Sequence, residues 1–140
     1  MKVLITGSRG YIGSTLAKAF TEKGITPIGV DRELRPNGSN IYGLFYESSF
    51  EDPQVADLVK DLGIDTICHL AADASVPDSV KNPGKYYQNN VAATIQFLNN
   101  LIERGWRGKF IFSSSAAVYP DSGKMSSEAD NPGPCNQIGR

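Results

Sequence analysis

A chain of 140 residues with 40% hydrophobic and 21% charged side chains has the make-up of one ordinary folded domain and not of a disordered or low-complexity segment. Fourteen Lys and Arg against fifteen Asp and Glu leave a net charge of -1, which offers no basic field for nucleic acid and no polybasic patch for an anionic membrane. No apolar run approaches the ~20 residues needed to span a bilayer, and Met1-Lys2-Val3-Leu4-Ile5 runs directly into a strand pattern instead of a signal peptide, so a cytoplasmic location is the default expectation.

Lys2 to Thr6 is a short apolar run that stops at Gly7, the pattern of a strand buried on both faces. Ile12, Leu16, Ala19 and Phe20 then fall on one helical face, and Gly24 ends that helix. Thr26 to Val30 reads as a second strand closed by Asp31, and Arg32 to Asn40 as a polar loop. Ile41 to Tyr46 is a weaker strand. Asp52-Pro53 supplies an N-cap and a first-turn proline, and Val55, Leu58, Val59 and Leu62 form the stripe of a helix that Gly63 terminates. Thr66 to Leu70 is the next strand, followed by Ala71-Ala72 and a short polar segment. From Tyr86 to Arg104 the residues Val91, Ile95, Leu98 and Ile102 keep helical spacing, with Gly105 as C-terminal cap. Lys109 to Phe112 is a last strand, ending in Ser113-Ser114-Ser115.

The order β-α-β-β-α-β-α-β, with right-handed crossovers, predicts an α/β fold: a doubly wound parallel sheet with helices on both faces. Residues 1–120 would form this domain and residues 121–140, rich in Ser, Gly, Pro and Asn, a loop or tail. Cys68 reads as a small core residue and Cys135 lies in that tail. With the lone His69 they offer no CxxC or Cys/His spacing for a metal.

The glycines carry the first chemical signal. Gly7-x-x-Gly10-x-x-Gly13 follows the first strand and opens the first helix, where Gly7 allows a tight turn, Gly10 a close approach to a pyrophosphate, and Gly13 close helix–strand packing. The helix N-terminus then faces the phosphates. Asp31, at the end of the second strand, is placed to accept hydrogen bonds from an adenosine ribose. A carboxylate there repels a 2′-phosphate and favours NAD, while Arg32 beside it keeps NADP open.

With the later motifs added, the chain resembles the NAD-dependent epimerase/dehydratase family of extended short-chain dehydrogenases/reductases, the UDP-glucose 4-epimerases in particular. Thr6 to Gly13 matches T-G-x-x-G-x-x-G. Ile67-Cys68-His69-Leu70-Ala71-Ala72 is similar to the fourth-strand motif, and Val80, Pro83, Tyr86, Tyr87, Asn89, Asn90 and Val91 match the helix that follows. Phe112-Ser113-Ser114-Ser115-Ala116-Ala117-Val118-Tyr119 is close to the fifth-strand motif F-S-S-S-A-T-V-Y, and its triple serine favours the epimerases over the sugar dehydratases.

The resemblance implies a Rossmann-type fold holding NAD and acting on a nucleotide sugar, here truncated after about five strands and without the C-terminal substrate domain. Tyr11 and Ile12 would lend backbone to the pyrophosphate, and Asp31 would hold the ribose. Leu70, Ala71, Ala72 and Ala74 would line the cofactor path, and Asn89 would add a side-chain hydrogen bond. Where the family places an aspartate for adenine, this chain has Ser49-Phe50, a weaker acceptor. Ser115 matches the serine that bonds the reacting sugar hydroxyl.

The family's acid/base pair is a tyrosine with lysine four residues on, the lysine lowering the tyrosine's pKa. None of the six tyrosines has lysine at that spacing, and in the stretch Asn131 to Arg140 Ile138 takes the tyrosine's place. A non-catalytic NAD-binding module, or a subunit completed by another chain, is therefore one alternative to an epimerase, and an NAD-dependent nucleotide-sugar dehydratase or reductase is another. The uncovered edge at the fifth strand would invite self-association or a homodimer. Under the ribose assignment, Asp31→Ala weakens NAD binding by at least ~1 kcal/mol in a calorimetric titration, and unchanged affinity would refute the assignment.

Overall fold

The computed structural model describes residues 1–32, 41–120, 123, 125–134 and 138. In chain order its elements are β1 (Val3–Thr6), α1 (Tyr11–Glu22), β2 (Ile28–Asp31), β3 (Leu44–Glu47), α2 (Pro53–Asp61) and β4 (Thr66–His69). There follow α3 (Val76–Lys81), α4 (Pro83–Tyr86), a π-helical segment (Tyr87–Ala92), α5 (Ala93–Glu103), β5 (Lys109–Phe112) and a 3₁₀ turn (Ala116–Val118). Of the predicted polar loop only Arg32 is among the described residues. The chain divides into two compact units: residues 1–72 with 93–113, and residues 73–92 with 114–140.

The first unit is built on a parallel sheet in the order β3-β2-β1-β4-β5. Register runs Thr6 beside Val30 and His69, and His69 beside Phe112. Side chains alternate between its faces, as extended backbone requires. Leu4, Ile28, Val30 and Ile67 face one way and pack with Val55, Ala56 and Val59 of α2 and with Ala93, Phe97 and Leu101 of α5. Val3, Ile5 and Cys68 face the other way, against Ala17 of α1. Helices on both faces of a parallel sheet, with the strand order reversing at β1, make the doubly wound Rossmann-type arrangement expected from the sequence.

Three helix ends share one device. Gly24, Gly63 and Gly105 take φ of 74°, 63° and 75°. The apolar residue after each, Ile25, Ile64 or Trp106, donates its N–H back to Phe20, Val59 or Leu101. This is the Schellman pattern, and it turns each helix toward the next strand. Arg104 further ties α5 to α2 through a fork onto Asp57, at 2.6 and 3.1 Å.

Local expectations fail at four points. On α1 Leu16 and Phe20 do pack against the core, but the buried residues are Gly13 and Ala17, and Ile12 is exposed because the close helix–strand approach is centred on Gly13. The stripe with helical spacing is largely an outer face: Val91 of the π-helical segment and Ile95 and Ile102 of α5 are exposed and Leu98 is half-buried, while Ala93, Thr94, Phe97 and Leu101 are buried. The polar segment after Ala72 holds two short helices, α3 capped by Ser75 Oγ, which accepts from Asp78 N, and α4 begun by Pro83. Asp52 does precede α2, but its carboxylate makes no cap bond and accepts instead from Ser48 Oγ at 2.9 Å.

In the second unit, Lys85 lies 3.3 Å from Asp78 and 3.9 Å from Asp73, and the buried Tyr86 hydroxyl donates to Asp78. Those hydrogen bonds, from Asn82 first, then Tyr86 and Lys85, hold the Asp78 carboxyl below the usual range.

Phe97 has no exposed surface and Ile95 is 53% exposed, on the same helix. Phe97→Ala is expected to destabilise the chain by about 3–5 kcal/mol, through lost burial and a cavity among α2, α5 and the sheet. Ile95→Ala should stay within about 0.5 kcal/mol. Urea unfolding of the two variants checks this, and the reverse ranking would place the other face of α5 inward.

Candidate functional site

The loop between β1 and α1 is shaped by contacts that exclude side chains. Gly7 has φ of 69°, and a Cβ there would stand 2.8 Å from Ala71 N. At Gly13 a Cβ would reach 2.1 Å from the Gly7 carbonyl oxygen, so helix and turn meet backbone to backbone. Gly7 N donates to Val30 O at 2.9 Å and Gly10 N to Gly7 O at 3.0 Å, which stitches the turn to the end of β2.

At the start of α1 the first-turn N–H groups belong to Tyr11, Ile12 and Gly13, and such groups have no intrahelical acceptor. The capping residue is Gly10, with no side-chain cap, and no acid stands in the first turn. Tyr11 is 90% exposed. An open, uncapped helix N-terminus above a backbone cradle suits an anion approaching from solvent.

Asp31 sits at the end of β2, half-buried. Its Oδ2 accepts from Arg9 N at 2.9 Å and its Oδ1 from Arg32 N at 2.8 Å. Each carboxylate oxygen can accept a second hydrogen bond, so the group is oriented and still has capacity for hydroxyl donors. Sequence reasoning passed over Arg9. It is buried, its guanidinium carbon lies 5.7 Å from the centroid of Phe45, and its backbone holds Asp31.

Beyond β4, Leu70 and Ala71 are half-buried and Ala72 is exposed. Leu70 N and Ala71 N both donate to Thr6 Oγ1, at 3.2 and 3.3 Å, which holds this segment against Gly7. After β3, Ser49 is half-buried, whereas the Phe50 ring is buried in the core, edge-on to His69 at 4.8 Å. The structure thus brings Gly7, Gly10, Tyr11, Ile12, Gly13, Asp31, Leu70, Ala71 and Ala72 together around the carboxyl ends of β1, β2 and β4.

Ala74, Asn89 and Ser115 belong to the second unit. Ala74 is exposed. Asn89 donates to Asn90 Oδ1 at 3.0 Å, and Asn90 clamps the Asp73 backbone from both sides, at 2.9 Å to its N and O. Ser115 Oγ is half-buried and accepts from Ala117 N at 3.1 Å, capping the 3₁₀ turn. Gly133 N donates to Val118 O, and Ile138 is half-buried in a turn.

The sequence places His69 in a strand and in the fourth-strand motif and gives it no role of its own. It is 3% exposed, with Nδ1 2.8 Å from Thr6 Oγ1 and Nε2 3.1 Å from Thr94 Oγ1. Phe50, Phe97, Phe110 and Phe112 surround its ring at 4.8 to 6.2 Å between centroids. Burial pushes its pKa from 6.5 down to about 4, so it is neutral near pH 7. Burial likewise raises the Cys68 thiol. Among the described residues there is no cluster of three His, Cys, Asp or Glu that could hold a metal ion, and no helix long and apolar enough to cross a membrane.

Comparison with known proteins matches residues 3–139 to the model of the NAD dependent epimerase/dehydratase family. The UDP-glucose 4-epimerase of Halalkalibacterium halodurans is 34% identical over 134 residues, covering 94% of this chain and 40% of that protein. The UDP-glucose 4-epimerase of Lactobacillus helveticus is 35% identical over 143 residues, covering 99% of this chain and 43% of its own length. A crystal structure of UDP-glucose-4-epimerase from Stenotrophomonas maltophila, with bound NAD and formylated UDP-arabinopyranose, superposes with a TM-score of 0.87 at 28% identity. The match covers 99% of this chain and 44% of that one. The chain therefore spans about two-fifths of the length of these curated relatives.

The buried imidazole carries a pH signature. Between pH 6.5 and 4 the unfolded chain binds a proton at His69 that the folded chain does not, so stability falls as pH drops through that window and levels off below it. The loss is about 3 kcal/mol. His69→Phe should abolish this part of the slope in urea unfolding measured at pH 7, 5.5 and 4. Parallel slopes in the two proteins would show that His69 protonates freely.

Proposed function

This chain belongs to the NAD dependent epimerase/dehydratase family, and on that premise we propose that it is the NAD-binding portion of a nucleotide-sugar epimerase of the UDP-glucose 4-epimerase kind. The observation that carries the reading is the turn at Gly7 and Gly13, where a Cβ would collide with neighbouring backbone, set beside a carboxylate already oriented by two backbone amides.

In this reading the N–H groups of Tyr11, Ile12 and Gly13 hold the pyrophosphate, with Gly7 and Gly10 letting it approach the backbone. Asp31 accepts from the adenosine ribose hydroxyls. Its charge disfavours a 2′-phosphate, which makes NAD the preferred dinucleotide. Ser49 and Phe50 border the adenine, Ser49 with its polar atoms and Phe50 with its backbone, the Phe50 ring being taken up by the core. Leu70, Ala71, Ala72 and Ala74 line the path toward the nicotinamide, and Asn89 donates a side-chain hydrogen bond. When bound, NAD would supply a hydride acceptor for the reacting sugar carbon. Ser115 orients the reacting sugar hydroxyl, because its oxygen is held by Ala117 N and its proton can still donate.

Ile138 supports a second reading. It stands where the resemblance puts the proton-transferring tyrosine, and an isoleucine cannot move a proton, which favours an NAD-binding module or a subunit completed by another chain. In either reading the exposed Ile111 and Phe112 of β5, at the sheet edge, would be covered by a second copy or by further protein.

Calorimetric titration with NAD should give saturable binding below millimolar concentration, tighter than NADP. No heat and no thermal shift at millimolar NAD would overturn the cofactor assignment. Adding UDP-glucose to the NAD complex separates the two readings: reduced-nicotinamide absorbance or formation of UDP-galactose supports the epimerase, and binding without either supports the module.

A further inference from the structure

We propose that His69 is a positioning residue for the cofactor path, acting through a one-way hydrogen-bond chain that fixes the Leu70–Ala71 backbone against the glycine turn. This rests on the NAD reading above and assigns the site a part that does not itself touch the ligand.

The direction of the chain follows from counting donors and acceptors. Thr6 Oγ1 has two lone pairs and one proton. Ala71 N donates to it at 3.3 Å, and Leu70 N at 3.2 Å in a bond shared with the Thr6 carbonyl oxygen at 3.2 Å, so both amides point at its lone pairs. The Thr6 proton is left for His69 Nδ1 at 2.8 Å, so Nδ1 is an acceptor. The neutral imidazole then carries its hydrogen on Nε2, which donates to Thr94 Oγ1 at 3.1 Å. The opposite tautomer would aim a third donor at Thr6 Oγ1 and strand the threonine proton in a buried site.

This chain connects β1, β4 and α5 at the level where the proposed cofactor path begins. The segment it holds is the same one whose backbone lies where a Gly7 Cβ would be, 2.8 to 2.9 Å away. A shift of Leu70–Ala71 in one direction closes on the turn, and in the other it opens a gap beside it. His69 itself is 3% exposed among these phenylalanines, so a partner lost here leaves a polar group in a buried place. The two polar contacts are what an imidazole adds to this position over an apolar ring.

His69 is the chain's single histidine, so its ring nitrogens can be assigned without ambiguity. Long-range ¹H–¹⁵N correlation spectra should show the Nε2–H tautomer at neutral pH. The Nδ1–H tautomer, or averaging between the two, would overturn the proposal. Thr6→Val keeps the shape of the side chain and removes its hydroxyl, Thr6→Ser keeps the hydroxyl, and His69→Phe keeps a ring. Measured by calorimetry, Thr6→Val and His69→Phe should weaken NAD binding at least fivefold, and Thr6→Ser should bind within twofold of the unaltered chain. Thr6→Val and His69→Phe both binding within twofold, while the unaltered chain binds, would overturn the positioning role alone. Absence of NAD binding by the unaltered chain would overturn the cofactor reading instead. If a variant fails to fold, the tautomer in the unaltered chain decides.

Discussion

At the mouth of β1 the backbone of the glycine turn touches the backbone of α1, and the organisation of the first unit follows from that contact. A Cβ at Gly13 would stand 2.1 Å from the Gly7 carbonyl oxygen, a separation that no side chain permits. Because the two segments meet without side chains between them, α1 starts directly above the end of β1. Its first N–H groups are delivered to the carboxyl end of the sheet. The same closeness brings Gly7 against Ala71, so the start of the segment after β4 becomes a wall of the turn. A residue of ordinary size at either glycine would push helix, turn and wall apart, and the concave site would flatten.

Below this opening two polar side chains at strand ends are tied to backbone amides. Thr6, which ends β1, accepts from two amides, and Asp31, which ends β2, accepts from two others. Both residues mark the strand ends on the same side of the sheet, where a doubly wound fold places its ligands. The aromatic shell around His69 lowers the local dielectric, which keeps the imidazole neutral and strengthens its two hydrogen bonds. Stability and site geometry therefore draw on the same buried contacts. A change that loosens the aromatic shell acts on both.

The five strands and the helices α1, α2 and α5 are legible in the sequence because short apolar runs are punctuated by glycines with a single physical role. Gly24, Gly63 and Gly105 end helices in the left-handed region, each followed by an apolar residue that seals the end. The glycine turn and Asp31 are legible for a related reason: their spacing along the chain is set by one strand, one helix and one return strand. Less was visible after Ala72. Ser75 and Pro83 do signal helix starts there, but α3 and α4 are too short for an apolar period to develop. The burial and partners of Arg9 and His69 are not legible because nothing local distinguishes a buried arginine or histidine from an exposed one.

The sequence by itself determined the order of elements, the parallel sheet, the place of the glycine turn and the family resemblance, since backbone conformation and strand–helix alternation are local properties. Tertiary structure alone decided which face of α5 lies inward. That helix carries two apolar stripes, one through Ile95 and Ile102 and one through Ala93, Phe97 and Leu101, and periodicity cannot choose between them. The choice falls to the partners: α2 and the sheet meet the Phe97 face, and the cluster of Phe50, His69 and Phe110 is shaped to receive it. It also decided that Thr6, His69 and Thr94, far apart in sequence, share one chain of hydrogen bonds, because only the pairing of β1 with β4 under α5 brings them within reach.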